Sequence, residues 1–188
     1  FGVKPDEVDI EQRSKAKMVS YGLAYGMEAY GLGQRLGIPV GEAQEILDAY
    51  FSAFPNVHSY MDATVEEARR KGYTETAFGR RRPIPELASS NFRLKQAGER
   101  QAMNAGIQGL AADIFKIALV RIDAALEDGG KASRLVLQVH DEVVVEVPEN
   151  ERAEVGPLVI GIMENAAALR VPLAVNVAWG ATRADAKS

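Results

Sequence analysis

The chain has 188 residues, 47% of them hydrophobic, which is enough for one substantial core or two small subdomains. It has no cysteine, which excludes a disulfide frame, a thiol nucleophile and a zinc–thiolate site, and no apolar run reaches transmembrane length. The formal net charge of −4 is unevenly spread: residues 69–100 hold nine Lys/Arg against three Glu, and residues 141–164 hold seven acidic residues against one Arg.

A basic middle beside an acidic end suits a surface that grips phosphates next to a metal site, and equally suits two solvated faces. No charged-then-apolar leader is present, so a cytoplasmic protein free of membrane is expected. The chain opens on Phe1 and not on Met, which leads us to expect that it begins inside a longer protein.

The pattern predicts a first helix over residues 8–30, loosened at its end by Gly31 and Gly33. Arg13, Lys17, Tyr21 and Tyr25 lie four apart on it, so their side chains form one slowly drifting stripe. Two cations at one end suit a polyphosphate, and aromatics beyond them suit the sugar and base of the same nucleotide. Gly22 and Gly26 each follow a Tyr and let another surface approach closely, at a helix cost of roughly 1 kcal/mol each. A solvated basic face beside core tyrosines is the other reading, but it leaves the two Tyr-Gly pairs without a reason.

Gly37-Ile38-Pro39 reads as a turn, followed by a helix over 42–54 with Ala43, Ile46, Leu47 and Tyr50 on one face. Pro55 opens the next helix, which ends at Gly72 behind Arg69-Arg70-Lys71, cations well placed at a helix C-terminus. Short strands over 73–78 and 81–84 flank Gly79, and Pro83 and Pro85 end any ladder. Ser89-Ser90-Asn91 offers N-caps for a long helical region to residue 126, expected to be interrupted near Gly106 and Gly109 and stopped by Asp128-Gly129-Gly130. Within it Arg100, Asn104 and Gln108 again step by four. Together they can donate to the acceptors that every base pair shows in the minor groove, or they can belong to a kinked core helix.

Residues 135–147 read as a hairpin, two β-branched runs flanking His140, Asp141 and Glu142 at the tip. A rigid ribbon with carboxylates at its end is a good way to hold a metal ion, although acidic residues also fill turns for local reasons. A helix within 151–169 follows, which Gly156-Pro157 would delay or kink, and then a strand over 173–178. There is no internal repeat and no low-complexity linker.

At this point three ordered motifs carry a resemblance. Lys17-Met18-Val19-Ser20-Tyr21-Gly22-Leu23-Ala24-Tyr25-Gly26, preceded by Arg13, resembles the fingers-helix motif of the family A DNA polymerases, the DNA polymerase I family. Gln138-Val139-His140-Asp141-Glu142 resembles that family's palm hairpin motif. Between them, Phe78-Gly79-Arg80-Arg81-Arg82 and the series Arg100, Asn104, Gln108 are similar to its connecting elements, in the same order.

The resemblance implies a role for each of these residues. Arg13 and Lys17 would bind the triphosphate of the incoming dNTP, with Lys17 also placed to protonate the pyrophosphate leaving group. Tyr21 would pack on the sugar and base, and Tyr25 would sit at the template position. Asp141 would be a metal-binding carboxylate and Glu142 an accessory one, while His140 would steady the primer end. Arg100, Asn104 and Gln108 would contact the nascent pair and the adjacent duplex, and Arg80, Arg81 and Arg82 the nucleic-acid backbone. The reaction implied is nucleotidyl transfer to a primer 3′-hydroxyl with two Mg²⁺ ions, hard cations that suit oxygen ligands.

Such a site needs a second aspartate on a strand. Asp113 and Asp123 belong to an apolar helix, and Glu146 lies four residues along the strand from Glu142. In the family this aspartate belongs to a palm motif upstream of the fingers helix, which would place it before Phe1. The fold expected is α+β: a helical fingers portion over 1–95, then over 96–188 part of an antiparallel palm sheet covered by long helices. Alone the chain is expected to be inactive, its partners being primer-template DNA, dNTP and the remainder of the polymerase chain with the thumb and first palm strands. A non-catalytic nucleic-acid-binding module would keep the basic middle without needing Asp141 and Lys17 together. A nucleotide-binding regulatory protein would keep the fingers stripe without the face of Arg100, Asn104 and Gln108. The closing stretch Trp179-Gly180-Ala181-Thr182-Arg183-Ala184-Asp185 departs from the family, which often has an aromatic after the Gly.

Overall fold

In the computed structural model, which describes residues 3–24 and 26–187, six α-helices and two antiparallel hairpins form an α+β fold. The order is α1 (Ile10–Ala24), α2 (Ala29–Leu36), α3 (Val40–Ala53), α4 (Pro55–Lys71), β1 (Tyr73–Glu75), β2 (Arg81–Pro83), α5 (Phe92–Asp128), β3 (Arg134–Val139), β4 (Glu142–Glu146) and α6 (Arg152–Glu164). Two compact units divide the chain, Phe1–Leu110 and Ala111–Ser188. Among the described residues no helix is long and apolar enough to cross a membrane.

The first unit has two cores. Leu23, Ala29, Leu32, Ala43 and Leu47 close the space where α1, α2 and α3 meet. Val65 and Ala68 of α4 pack with Ile84, Leu87 and Ala102 in the second. The single helix expected over 8–30 is two helices: α1 ends at Ala24, Gly26 turns the chain at φ 66°, and α2 starts at Ala29. The break puts Leu23 and Leu32 into one core, which a straight helix would have separated. Gly31 and Gly33 lie inside α2, and Gly37 at φ 69° ends it. Pro55 does open α4 and Gly72 closes it, at φ 78°.

α5 corrects a second expectation. It runs 37 residues without a break, starting where Asn91 Oδ1 accepts the N–H of Arg93 at 3.0 Å. Its glycines are points of close approach. A Cβ at Gly109 would stand 2.6 Å from the Thr76 methyl, and one at Gly106 would stand 3.0 Å from the Tyr60 hydroxyl. Packing from the β1–β2 hairpin and α4 outweighs the modest helix penalty of each glycine.

The second unit is a hairpin on two helices. Ile122 and Leu126 of α5 and Val155 and Val159 of α6 form its buried core, and Leu135, Val143, Val145 and Val147 pack against it from the hairpin. β3 pairs antiparallel with β4 from Arg134↔Glu146 to Val139↔Glu142, with a register shift between Leu135 and Leu137. Gly156-Pro157 does not delay α6, which starts at Arg152 and carries Pro157 within it. The strand expected over 173–178 does not form: a strand exists only as a paired ladder, and among the described residues β3 and β4 pair only with each other. The Val175 N–H instead donates to Glu164 Oε1 at 3.2 Å.

Glu151, at the N-cap position of α6, ties the start of the hairpin to the helix. Its carboxylate accepts the N–H of Ala132 at 2.9 Å, and the N–H and hydroxyl of the buried Ser133 at 3.0 and 2.5 Å. The Ser133 hydroxyl, then the Ala132 amide, hold its pKa below the usual glutamate value. A lowered carboxylate pKa contributes stability that is present above the unfolded value, about pH 4.3, and is lost as pH falls through the folded one. Glu151→Gln is therefore expected to lower the melting temperature at neutral pH, with the gap closing in acid. Thermal melts of both forms between pH 7 and 3 check this, and a gap independent of pH refutes it.

Candidate functional site

The stripe on α1 begins with a reciprocal cap. Gln12 N–H donates to Asp9 Oδ1 at 2.7 Å and Asp9 N–H donates to Gln12 Oε1 at 3.1 Å, which starts the helix at Ile10. One turn on, the cations divide. Lys15 pairs with Glu11 at 2.8 Å, and that hydrogen bond raises its pKa. Arg13 and Lys17 are exposed and meet no carboxylate among the described residues. The Lys17 ammonium stands 5.6 Å from the centre of the Tyr21 ring, and Tyr21 is 57% exposed. Arg13, Lys17 and Tyr21 thus share one open flank, cationic at one end and aromatic at the other; Tyr25, the fourth member, lies outside the described residues.

A cleft of about 270 Å³ opens beside the end of this helix, floored by Leu23, Leu47, Met61 and Met103. Its rim is acidic. Asp62 faces His58 at 3.0 Å, Glu99 binds Arg69 at 2.6 Å, and Glu28 accepts from Gln96 at 3.5 Å.

On α5, Arg100 and Gln108 are exposed and Asn104 is half-buried. The Asn104 amide donates to the Arg100 carbonyl at 3.3 Å, one turn back on its own helix. A Cβ at Gly26 would stand 3.1 Å from Arg100 Cγ and 3.0 Å from Met103 Sδ, so the chain leaving α1 lies on the Arg100 stem. Residues four apart on α5 are thereby joined to the end of the α1 stripe within one unit.

The three arginines of the β1–β2 hairpin are already engaged. Arg80 Nη2 donates to the Gly109 carbonyl at 2.7 Å. Arg81 donates to Glu75 Oε2 at 2.6 Å and stacks 4.8 Å from the Tyr73 ring centre, the hydrogen bond raising its pKa. Arg82 donates to Gln101 Oε1 at 3.3 Å. Much of the charge of the basic middle is balanced in this way: Arg69 also binds Glu66, and Lys71 meets Glu67 at 2.5 Å.

The second hairpin turns in two residues, His140 and Asp141, and Glu142 is the first residue of β4 and not part of the tip. His140 has φ 54°, the only positive φ outside glycine among the described residues. Positive φ at the first of two loop residues is usually given to glycine, so a histidine there carries strain. Gln138 Nε2 donates to the His140 carbonyl at 3.2 Å and braces the turn from β3. The result is an exposed Asp141 carboxylate on a short rigid loop. Glu142, half-buried beside it, accepts from Arg183 Nη2 at 3.0 Å. Among the described residues no three His, Cys, Asp or Glu side chains gather closely enough to enclose a metal ion. Arg183 was not singled out from its residue type. The signal was the Thr182-Arg183-Ala184-Asp185 spacing, a capping pattern that implies an ordered tail.

Comparison with known proteins agrees across sequence and structure. Residues 1–185 match the family model of DNA polymerase family A. DNA polymerase I of Mycobacterium bovis is 52% identical over 180 residues, which is 96% of this chain and 20% of that protein. DNA polymerase I of Streptococcus pneumoniae is 47% identical over 188 residues, all of this chain and 21% of that one. The chain therefore spans about a fifth of the length of these relatives. Among solved structures, the POL domain of Pol1 from M. smegmatis, in complex with DNA primer-template and dNTP, superposes with a TM-score of 0.89 at 50% identity, covering 92% of this chain and 30% of that one.

The contacts of Arg80 make it a brace between the β1–β2 hairpin and α5. Arg80→Ala is expected to destabilise the protein by about 1 kcal/mol, the net worth of such a hydrogen bond, and Arg82→Ala by clearly less. Urea denaturation of the two variants checks this. An Arg80→Ala variant as stable as the parent would mean that the Arg80 contact with Gly109 contributes nothing.

Proposed function

Because the chain belongs to the family A DNA polymerases, we propose that it is the C-terminal part of a polymerase domain that transfers nucleotides from dNTP to a primer 3′-hydroxyl on a DNA template. Residues 1–95 make up the fingers portion and 96–188 the palm portion. The observation that carries this reading is the flank of α1, where, among the described residues, Arg13 and Lys17 stand without a carboxylate next to the exposed Tyr21. A helix face that leaves two cations uncompensated, while its neighbour Lys15 is paired, suits a ligand that brings its own negative charge.

In this reading Arg13 and Lys17 hold the triphosphate, and Lys17 donates a proton to the leaving pyrophosphate. Tyr21 packs on the sugar and base, and Tyr25 lies at the template. Arg100, Asn104 and Gln108 contact the duplex near the new pair. Arg81 and Arg82, the more exposed ends of their pairs, reach the nucleic-acid backbone, with Arg80 steadying their hairpin. His140 supports the primer end from its strained turn.

Asp141 and Glu142 offer hard oxygen donors on a short loop, which fits Mg²⁺, an ion that takes one or two protein carboxylates and keeps water and phosphate as its other ligands. Two donors are part of a set, in line with a further aspartate carried elsewhere in the polymerase. When bound, the metal ions would supply activation of the 3′-hydroxyl and neutralisation of the phosphates. The chain's own share is to hold the Asp141 carboxylate still, because the two-residue loop leaves it little room to drift.

In the complete polymerase, Asp141→Ala is expected to lower kcat about 100-fold or more, with DNA affinity nearly unchanged because phosphate contacts elsewhere carry it. Lys17→Ala is expected to raise KM for dNTP and also to lower kcat. Steady-state primer extension and DNA binding check both; parallel losses of binding and turnover in Asp141→Ala would make that residue structural.

Tyr21 gives a separate test. A 2′,3′-dideoxynucleotide lacks the 3′-hydroxyl that can hydrogen-bond within its own triphosphate, and a phenol can fill that gap where a phenyl ring cannot. A hydrogen bond to a charged group is worth about 1.5–3 kcal/mol, or about one to two decades of discrimination. Tyr21→Phe is expected to raise the preference for deoxy over dideoxy substrates by that factor, read as the ratio of kcat/KM values. An unchanged ratio removes Tyr21 from the sugar.

A further inference from the structure

The tail after α6 is built, residue by residue, to deliver one side chain to the metal-site hairpin. Trp179 seats it: the Arg152 guanidinium lies 4.7 Å over the indole, and the ring edge rests against Gly156, where a Cβ would stand 3.0 Å from it. Gly180 then lets the chain fold back. A Cβ there would stand 2.5 Å from the Ala186 nitrogen and 2.9 Å from Asp185 Cβ, so any side chain would push the turn aside. Thr182 and Asp185 close the turn. The N–H and hydroxyl of Thr182 donate to Asp185 Oδ2 at 3.0 and 2.6 Å, and the Ala186 N–H donates to the Thr182 carbonyl at 3.1 Å. Arg183, inside this turn, reaches Glu142 Oε2 at 3.0 Å.

Both partners are about two-fifths exposed, and an ion pair in that setting adds little stability. Its effect is local instead. A guanidinium on Glu142 holds that carboxylate in one rotamer and offsets its charge, while Asp141 next to it carries no ion pair among the described residues.

We propose that Arg183 is a positioning residue, the end of a C-terminal strap that holds the Glu142 carboxylate and leaves Asp141 as the uncompensated charge of the turn. This inference rests on the metal reading of Asp141 given above. Loss of the guanidinium removes this contact from Glu142 and adds one net negative charge beside the turn, which attracts a divalent cation more strongly.

The test uses the complete polymerase and has two readouts. Hydrogen exchange is measured in the peptides covering residues 140–146 and 180–187, without metal. Arg183→Ala is expected to speed exchange in both by about two- to fivefold, the range an exposed ion pair allows. Arg183→Lys should stay near the parent, and Arg183→Ala with Glu142→Gln should exchange no faster than Glu142→Gln alone. In primer extension, the Mg²⁺ concentration for half-maximal rate is expected to fall about threefold in Arg183→Ala. Unchanged exchange in the hairpin peptide, or an unchanged or higher half-maximal Mg²⁺, overturns the proposal. Asp141→Ala is run beside it: if that variant keeps its turnover the metal reading fails, while the exchange data still decide whether the strap exists.

Discussion

The unbroken hydrogen-bond ladder of α5 supplies one core in each unit. In the first unit Ala102 and Met103 pack with α4 and the Ile84–Leu87 segment, and the glycines further along admit Thr76 and Tyr60. In the second, Ile122 and Leu126 form the floor under the hairpin. Each glycine costs the helix roughly 1 kcal/mol in isolation, and burial of one leucine-sized side chain returns more than that. Helix continuity is thus a consequence of packing, and everything that sits on α5 inherits its regularity, including the four-residue spacing of Arg100, Asn104 and Gln108.

Charge is used in two ways along the chain. Residues 69–100 are basic by count, yet most of their guanidinium and ammonium groups are spent on neighbours: Arg69 on Glu66 and Glu99, Lys71 on Glu67, Arg81 on Glu75. These pairs orient the β1–β2 hairpin and the end of α4, and being exposed they add little to stability. Arg13 and Lys17 carry the opposite pattern, with fewer charges and, among the described residues, no carboxylate to meet them. Net charge over a window does not separate the two cases. Only the group lying opposite each cation does.

The β3–β4 hairpin shows how a local backbone cost is carried by its surroundings. His140 sits at positive φ without being glycine, so the turn is held by what surrounds it: the β3–β4 ladder, the Gln138 amide on the His140 carbonyl, and the valines of β4 packed on α5 and α6. A turn with glycine in that place would be less strained, but it would lack the imidazole beside Asp141. Glu151 and Arg183 hold the same hairpin from its two ends, the first through the Ala132 and Ser133 amides and the second through Glu142.

Local periodicity and turn chemistry made much legible in the residues themselves: the stripe on α1, the cap at Asn91, Pro55 and Gly72 around α4, and the hairpin that ends in Asp141. Each depends on contacts within a few positions, which a linear pattern records. The order of three motifs identified the family for the same reason, since recognition needs residue types and spacing and no coordinates. Where the reading failed, the deciding contact came from far along the chain. Whether Gly106 and Gly109 break a helix depends on Thr76 and Tyr60, and whether residues 173–178 make a strand depends on a pairing partner. Whether an arginine is available to a ligand depends on which carboxylate lies opposite it. Glycine, β-branched residues and cations are each compatible with two local outcomes, and the tertiary structure selects between them because the energy that separates them comes from packing and charge brought together only on folding.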